Sequence, residues 1–305
     1  MNPPSASNAS EVDARAIARV LDRLARAAQP PWLHAEVARR MAQRLPVIRA
    51  QPQTWIDWSG FLGASQAVVR EVYPRARRIV VEPTEALERR SQEQSWLPWW
   101  SPKRWRAPAD VLQRRGDWPV DAAQLLWANM SLHTCVDAVD VLARWHRALQ
   151  AEGFLMFSTL GPDTLRELRA IYSAQGWAAP HAAFVDMHDW GDRLVQAGFA
   201  DPVMDQELIT LTWSSPLAML DELRLLGANV SCLRAKGLRT PRWKRRLMDT
   251  LAASADAQGR VALTFEIVYG HAFRPAPRPA RSGVATVSVD RLRDNLPSRA
   301  RRAGP

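Results

Sequence analysis

Two cysteines, Cys135 and Cys232, in 305 residues are too few for a disulfide framework, and neither stands at a CxxC or Cys/His spacing that would hold a metal. Both are expected to be buried thiols, and no metal site is expected. No apolar run approaches membrane-spanning length, and the start, MNPPSASNASEVDARA, lacks the apolar centre of a signal peptide. A cytoplasmic chain without integral membrane association is therefore expected. No internal repeat is present, and no nucleophile, base and acid fall into a dyad or triad pattern. Acids are outnumbered, 31 against 41 Lys and Arg, for a net charge of +10. From Arg274 to Pro305 eight Arg face two Asp, so most of the excess lies in a Pro- and Arg-rich tail, and a nucleic-acid partner is not expected. The remaining, mildly basic body suits an acidic partner as well.

What is present is a soluble composition, 47% hydrophobic and 24% charged, long enough to bury a full core. Residues 1–10 are small and polar and read as disordered. Residues 11–50 read as two amphipathic helices, Glu11 to Ala28 and Trp32 to Leu45, separated by Gln29-Pro30-Pro31. They form either a lid or a packing layer on a sheet edge. Thr54 to Asp57 then reads as a strand ending in an acid, followed by the small-residue turn Ser59-Gly60-Phe61-Leu62-Gly63 and a helix through Val72. About twenty residues on, a second strand, Arg78 to Glu82, ends in another carboxylate, the spacing at which an acid reaches the ribose of a nucleotide lying on the first turn. Residues 91–109 carry four Trp among Pro and basic residues and read as an inserted loop packed over the sheet edge.

Asp110 to Gln113 is a short third strand, Gln124 to Asn129 a fourth ending in a polar residue, and Val136 to Leu149 a helix. The stretch EGFLMFSTLGPDTLRELR, Glu152 to Arg169, is expected to end a helix at its Gly, form a buried strand, and turn at Ser158 to Asp163 into a helix whose first turn holds Asp163 and Thr164. Such a turn lies at the carboxyl end of its strand, where open α/β sheets place ligands. A loop and helix (FVDMHDWGDRLVQAGF), a strand from Val203, a helix from Ser215, a basic segment from Lys236 to Arg246 and a final strand VALTFEIVY complete a doubly wound sheet.

With these strands placed, the chain resembles the class I S-adenosylmethionine-dependent methyltransferases, and among them the malonyl-[acyl-carrier protein] O-methyltransferases of biotin synthesis. The matching segments are WANMSLH at Trp127, FSTLGPDTLRELR, FVDMHDWGDRLVQAGFADPVMD, LLGAN at Leu225 and LTFEIVYGHAF. The resemblance implies a seven-stranded Rossmann-like domain over 51–273 with N-terminal helices and a separate basic tail at 274–305. It implies S-adenosylmethionine as cofactor and methylation of a free carboxylate carried on acyl-carrier protein. Residue by residue, Asp57, Gly60 and Gly63 match the motif at the methionine end of the cofactor, Glu82 the ribose-binding acid, and Asn129 the polar end of strand four. Ser158, Asp163, Asp186 and His188 become candidates for a substrate loop. A carboxylate nucleophile is already ionised at neutral pH, so positioning suffices and no catalytic base is assigned.

The first half departs from the family pattern. D-x-G-x-G-x-G becomes Asp57-Trp58-Ser59-Gly60-Phe61-Leu62-Gly63, Gln124 replaces an acid, and RRGDWPVDAAQ rewrites the segment before strand four. Glycine lets backbone approach a ligand, and Phe61 can fill that space. A catalytically degenerate relative kept as a binding or regulatory module is the alternative expectation. A weaker one follows from the likeness of the FSTL segment to a complex I assembly factor that hydroxylates an arginine. His133, nearest the ligand edge with His188, has no acid partner in sequence and reads as structural.

Overall fold

The computed structural model describes residues 12–95, 110–113 and 116–277. The first amphipathic segment is α1 (Ala14–Ala25), started by Asp13, whose carboxylate accepts from the N–H groups of Arg15 and Ala16. Its Ile17, Val20, Leu21 and Leu24 share one face at helical spacing and are buried. The second segment, α2 (Trp32–Ala42), begins immediately after Pro31. Strand β1 (Thr54–Trp58) leads into α3 (Gly60–Gly63) and α4 (Gln66–Val72). The single helix expected here is broken at Ala64, which adopts φ 51°.

Strand β2 (Arg77–Val81) is followed by α5 (Glu85–Ser95), so residues 91–95 of the expected Trp-rich loop are helical instead. The rest of that insert, 96–109, lies outside the described residues, as do the expected disordered start and most of the basic tail. Then come β3 (Val111–Leu112), β4 (Ala123–Ala128), α6 (Ala138–Ala148), β5 (Leu149–Leu160), α7 (Arg166–Ala174) and α8 (Met187–Gln196). Strand β6 (Ala200–Trp213), α9 (Pro216–Leu226), α10 (Pro241–Ala253) and β7 (Val261–Phe273) close the domain.

The seven strands form one sheet in the order β3-β2-β1-β4-β5-β7-β6. Its β3-β2-β1-β4-β5 portion is parallel, and β7 runs antiparallel between β5 and β6. Strand neighbours alternate in face, so adjacent residues feed opposite cores. Trp55 and Trp127 pack with Leu33, Met41 and Phe154 on one side, whereas Ile56 and Leu126 pack with Trp145 and Phe157 on the other. Chain order reverses direction between β1 and β4, which places the ligand crevice at the carboxyl ends of these strands.

Three local expectations are corrected. Gly153 does not end a helix: α6 stops at Ala148, and Gly153 lies inside β5. A Cβ there would approach the carbonyl oxygens of Gln150 and Gln124 at 2.9 and 3.1 Å, so the glycine serves close backbone approach. Asp163 and Thr164 precede α7, which begins at Arg166 after Leu165 in the left-handed region. The Asp163 N–H donates instead to Glu266 of β7 at 2.6 Å, tying the turn to the sheet. Of the two thiols, Cys232 is exposed, while burial pushes Cys135 up to about 12.

Candidate active site at the carboxyl ends of the strands

Asp57 pairs in register with Val80 and Arg78 with Trp55, so Asp57 and Arg78 are diagonal neighbours on one face of the β1–β2 ladder. Both are buried, at 0% and 1% side-chain exposure. The Arg78 Nε and Nη2 groups donate to one Asp57 carboxylate oxygen at 2.8 and 2.6 Å, and Nη1 donates to Asp110 at 3.1 Å. Burial pushes the Asp57 carboxyl up, opposed by the guanidinium. Burial also works against the Arg78 charge, but the two carboxylates outweigh it and raise its pKa. Gly60 makes room for this ion triad, since a Cβ there would sit 2.8 Å from Arg78 Nη2.

Ser59, at a glycine position of the family pattern, adopts φ 60°, the left-handed conformation that glycine supplies without strain. Two residues later the Phe61 side chain is 1% exposed and packs in a cluster with Leu62, Leu87 and the apolar face of α1. The Arg90 guanidinium lies 5.0 Å from its ring centre. Glu82 is 3% exposed, and one of its oxygens accepts from the Phe61 N–H at 2.7 Å and from Ser91 Oγ at 2.5 Å. Burial pushes Glu82 up to about 8 despite these two donors.

Asn129, Gly63 and Ser158 converge. The Asn129 amide donates to the carbonyls of His34 and Gly63, both at 2.7 Å. Ser158 Oγ donates to the Asn129 oxygen at 2.6 Å and accepts from the Met130 N–H at 3.0 Å. This network joins α2, α3, β4 and β5 at one point. The other candidates lie apart from it. Asp163 turns its half-exposed carboxylate toward Arg166 at 3.5 Å. Asp186 caps α8 by accepting from the His188 N–H at 2.8 Å, and the His188 side chain is exposed.

A cavity of about 180 Å³ opens beside the Asn129 network, roofed by Val20, Leu21 and Leu24 of α1 and by Leu223 and Leu226 of α9. Its walls include Ser59 and Leu62 after β1, Met130, Ser131 and His133 after β4, Leu165 before α7, and the 227–230 segment. No Asp, Glu, Lys or Arg is among the described residues that line it. Its three histidines are held neutral. Burial pulls His34 down to about 4, burial and the neighbouring His34 pull His133 down to about 3, and burial lowers His181. His34 Nδ1 donates to the Leu62 carbonyl at 2.9 Å and His181 Nδ1 to that of Ala182 at 2.6 Å, so the second nitrogen of each ring keeps a bare lone pair. Ser131 Oγ and His133 Nδ1 are buried without a hydrogen-bond partner among the described residues.

Sequence reasoning placed His133 near this edge and did not single out Ser131, His34 or His181 as site residues. Only the packing of α2 and of the loop before α8 over β4 brings them together. Arg78 did have a signal, as an arginine inside an apolar strand four residues before Glu82.

The cofactor that the fold implies tests these residues. Asp57 Oδ1 and Glu82 Oε2 are buried oxygens without partners among the described residues, which a ligand bond would satisfy. Both lie off the cavity, which reaches Ser59 and Leu62 but none of Asp57, Gly60, Phe61, Gly63 or Glu82. The Phe61 ring and the Arg78 triad are packed beside these two acids.

No family model matches the chain. It is 36% identical over 264 residues to a malonyl-[acyl-carrier protein] O-methyltransferase of Gallionella capsiferriformans, covering 84% of this chain and 89% of that one. The enzyme of the same name from Laribacter hongkongensis is 38% identical over 257 residues, 82% and 85% of the two chains. That from Halorhodospira halophila is 33% identical over 285 residues, 92% and 94%. In structure the chain is similar to the YcgJ protein of Bacillus subtilis, at TM-score 0.52 and 8% identity over 78% of this chain and 98% of that one. These identities and coverages, on the methyltransferase strand order, place the chain in the malonyl-[acyl-carrier protein] O-methyltransferase family.

Proposed function

We propose that this chain is an S-adenosylmethionine-dependent O-methyltransferase that esterifies the free carboxylate of a malonyl group held on acyl-carrier protein, in the cytoplasm and on the way to biotin. The observation that carries the reading is family membership at 36–38% identity over more than four fifths of the chain. An apolar cavity at the strand ends, large enough for a short acyl group, agrees with it.

The acceptor chemistry asks little of the side chains. A carboxylate is ionised at neutral pH and needs no general base, only alignment and exclusion of water. A buried guanidinium or ammonium would stabilise that carboxylate and blunt it as a nucleophile. This cavity offers neutral donors instead. Ser131 Oγ and, in the tautomer protonated there, His133 Nδ1 hold the carboxylate, and the rest of the acyl chain runs along Leu62, Leu165 and Phe265. Ser158, Asn129 and Gly63 fix the strand-end backbone from which both donors project. Acceptor contacts thus pass from Asp163, Asp186 and His188 to the turn after β4.

Mass spectrometry of malonyl-carrier protein incubated with the full chain and millimolar S-adenosylmethionine is expected to find one methyl added to the malonyl group. Absence of the methyl ester, together with failure to rescue a biotin auxotroph lacking this step, removes the assignment.

A further inference from the structure

We infer that the loop after α9 and the outer face of α10 form the docking surface for the acidic carrier protein that delivers the acyl group; this deepens the malonyl-carrier reading above and rests on it. From Ser231 to Met248 the sequence has seven basic residues and no acidic one. Arg234 is engaged by Asp13 at 2.5 Å. Lys236, Arg239, Arg242, Lys244, Arg245 and Arg246 are exposed, and none of the six forms an ion pair among the described residues, where other surface arginines such as Arg260 do. Like charges packed this closely repel one another, and a polyanionic partner relieves the repulsion.

The cations have a firm mount. Leu247 and Leu251 anchor α10 in the core, and Trp243 packs against Trp177 and Tyr172 with ring centres 5.1 and 6.2 Å away. Arg239 lies over the outer face of Trp243 at 4.3 Å. Between the charges, Leu233 and Leu238 stand out into solvent at 81% and 101% exposure, the apolar points that a protein interface buries at its centre.

The position fits delivery. The loop continues directly from residues 227–230, which line the cavity. It is fastened to the start of α1 by the Asp13 N–H to Val230 carbonyl bond at 2.7 Å and by the Val12–Ser231 bridge. A partner seated here stands at the cavity rim, within reach of a substrate on a flexible arm. Nucleic acid is the poorer match, because the tryptophans of this patch face each other and the core instead of offering free stacking faces. A membrane is poorer too, since two separated leucines make no continuous apolar face.

The test uses the full chain with the paired reversal Arg242→Glu/Arg245→Glu, the milder pair Arg242→Gln/Arg245→Gln, and Arg75→Glu, an exposed site before β2, as control. The reversal is expected to raise KM for malonyl-carrier protein at least ten-fold at low salt. kcat and the KM for the same malonyl thioester on free pantetheine should stay unchanged, with a smaller effect from the Gln pair and none from the control. Unchanged KM in folded variants overturns the proposal. Fluorescence anisotropy of labelled carrier protein reads docking without turnover, so a chain that binds the carrier through these arginines but makes no ester refutes the activity and keeps the surface. Tighter binding of RNA or of anionic vesicles than of carrier protein at equal salt overturns the choice of partner.

Discussion

The backbone N–H of Phe61 donates to the Glu82 carboxylate at 2.7 Å. The acid at the carboxyl end of β2 thus holds the residue whose ring packs under the apolar face of α1. Phe61 is 1% exposed. Removing its ring in Phe61→Gly is expected to cost about 3–5 kcal/mol of stability, the range for large-to-small changes at buried aromatics. The same change should tighten S-adenosylhomocysteine binding at least ten-fold in calorimetry. A folded variant with unchanged affinity would show that the ring does not obstruct the nucleoside.

Arg78 is the partner of Asp57. Replacing it by Met leaves Asp57 buried without a counter-charge, a situation that typically costs about 3–5 kcal/mol. Urea unfolding of Arg78→Met should register that loss. In Asp57→Leu/Arg78→Met the loss should be well below the sum of the two single changes, because the pair is removed together. Additive losses would mean that the two residues are not coupled, against the two donors on one carboxylate oxygen at 2.6 and 2.8 Å.

The sheet and most helices were legible because they rest on local periodicity and caps. Helix α8 begins within FVDMHDWGDRLVQAGF and α9 directly after Ser215, where the sequence puts them. Gly153 was misread because a glycine after a helical pattern resembles a C-cap, and only the approach of the Gln150 and Gln124 carbonyls reveals its role in the strand. The site was legible in part. Phe61 at a glycine position announced a filled space, but Arg78, the partner of Asp57, lies one strand away, and the diagonal that joins the two exists only in register. Ser131 was not singled out in the sequence. Its unpartnered hydroxyl becomes visible only when α1 and α9 close over it.

Ser131 gives a direct test of the acceptor contacts. Ser131→Ala removes a hydroxyl that has no partner among the described residues, so stability should change by no more than about 0.5–1 kcal/mol, a typical net hydrogen-bond contribution. Steady-state kinetics should show KM for the malonyl acceptor raised about five- to thirty-fold, about 1–2 kcal/mol of lost binding. An unaltered KM would place the carboxylate elsewhere in the cavity.

Glu82 makes stability depend on pH with a definite sign. Its folded pKa of about 8 lies above the ordinary 4.5, so the native state holds a proton that the unfolded chain releases. The stabilisation from protonated Glu82 is full below the unfolded pKa and is lost as pH rises from about 4.5 through about 8. His34 and His133 act in the opposite sense below pH 6.5, where their depressed values of about 4 and about 3 make acid destabilising. The two effects overlap between pH 4.5 and 6.5, so the wild-type curve alone does not isolate Glu82. Glu82→Gln keeps an acceptor for the Phe61 N–H and cannot ionise. The difference in Tm between Glu82→Gln and wild type should therefore grow in favour of the variant from pH 5 to pH 8 and level off above. A difference independent of pH would mean that Glu82 is ionised in the folded protein, and that the carboxylate facing Phe61 carries its charge.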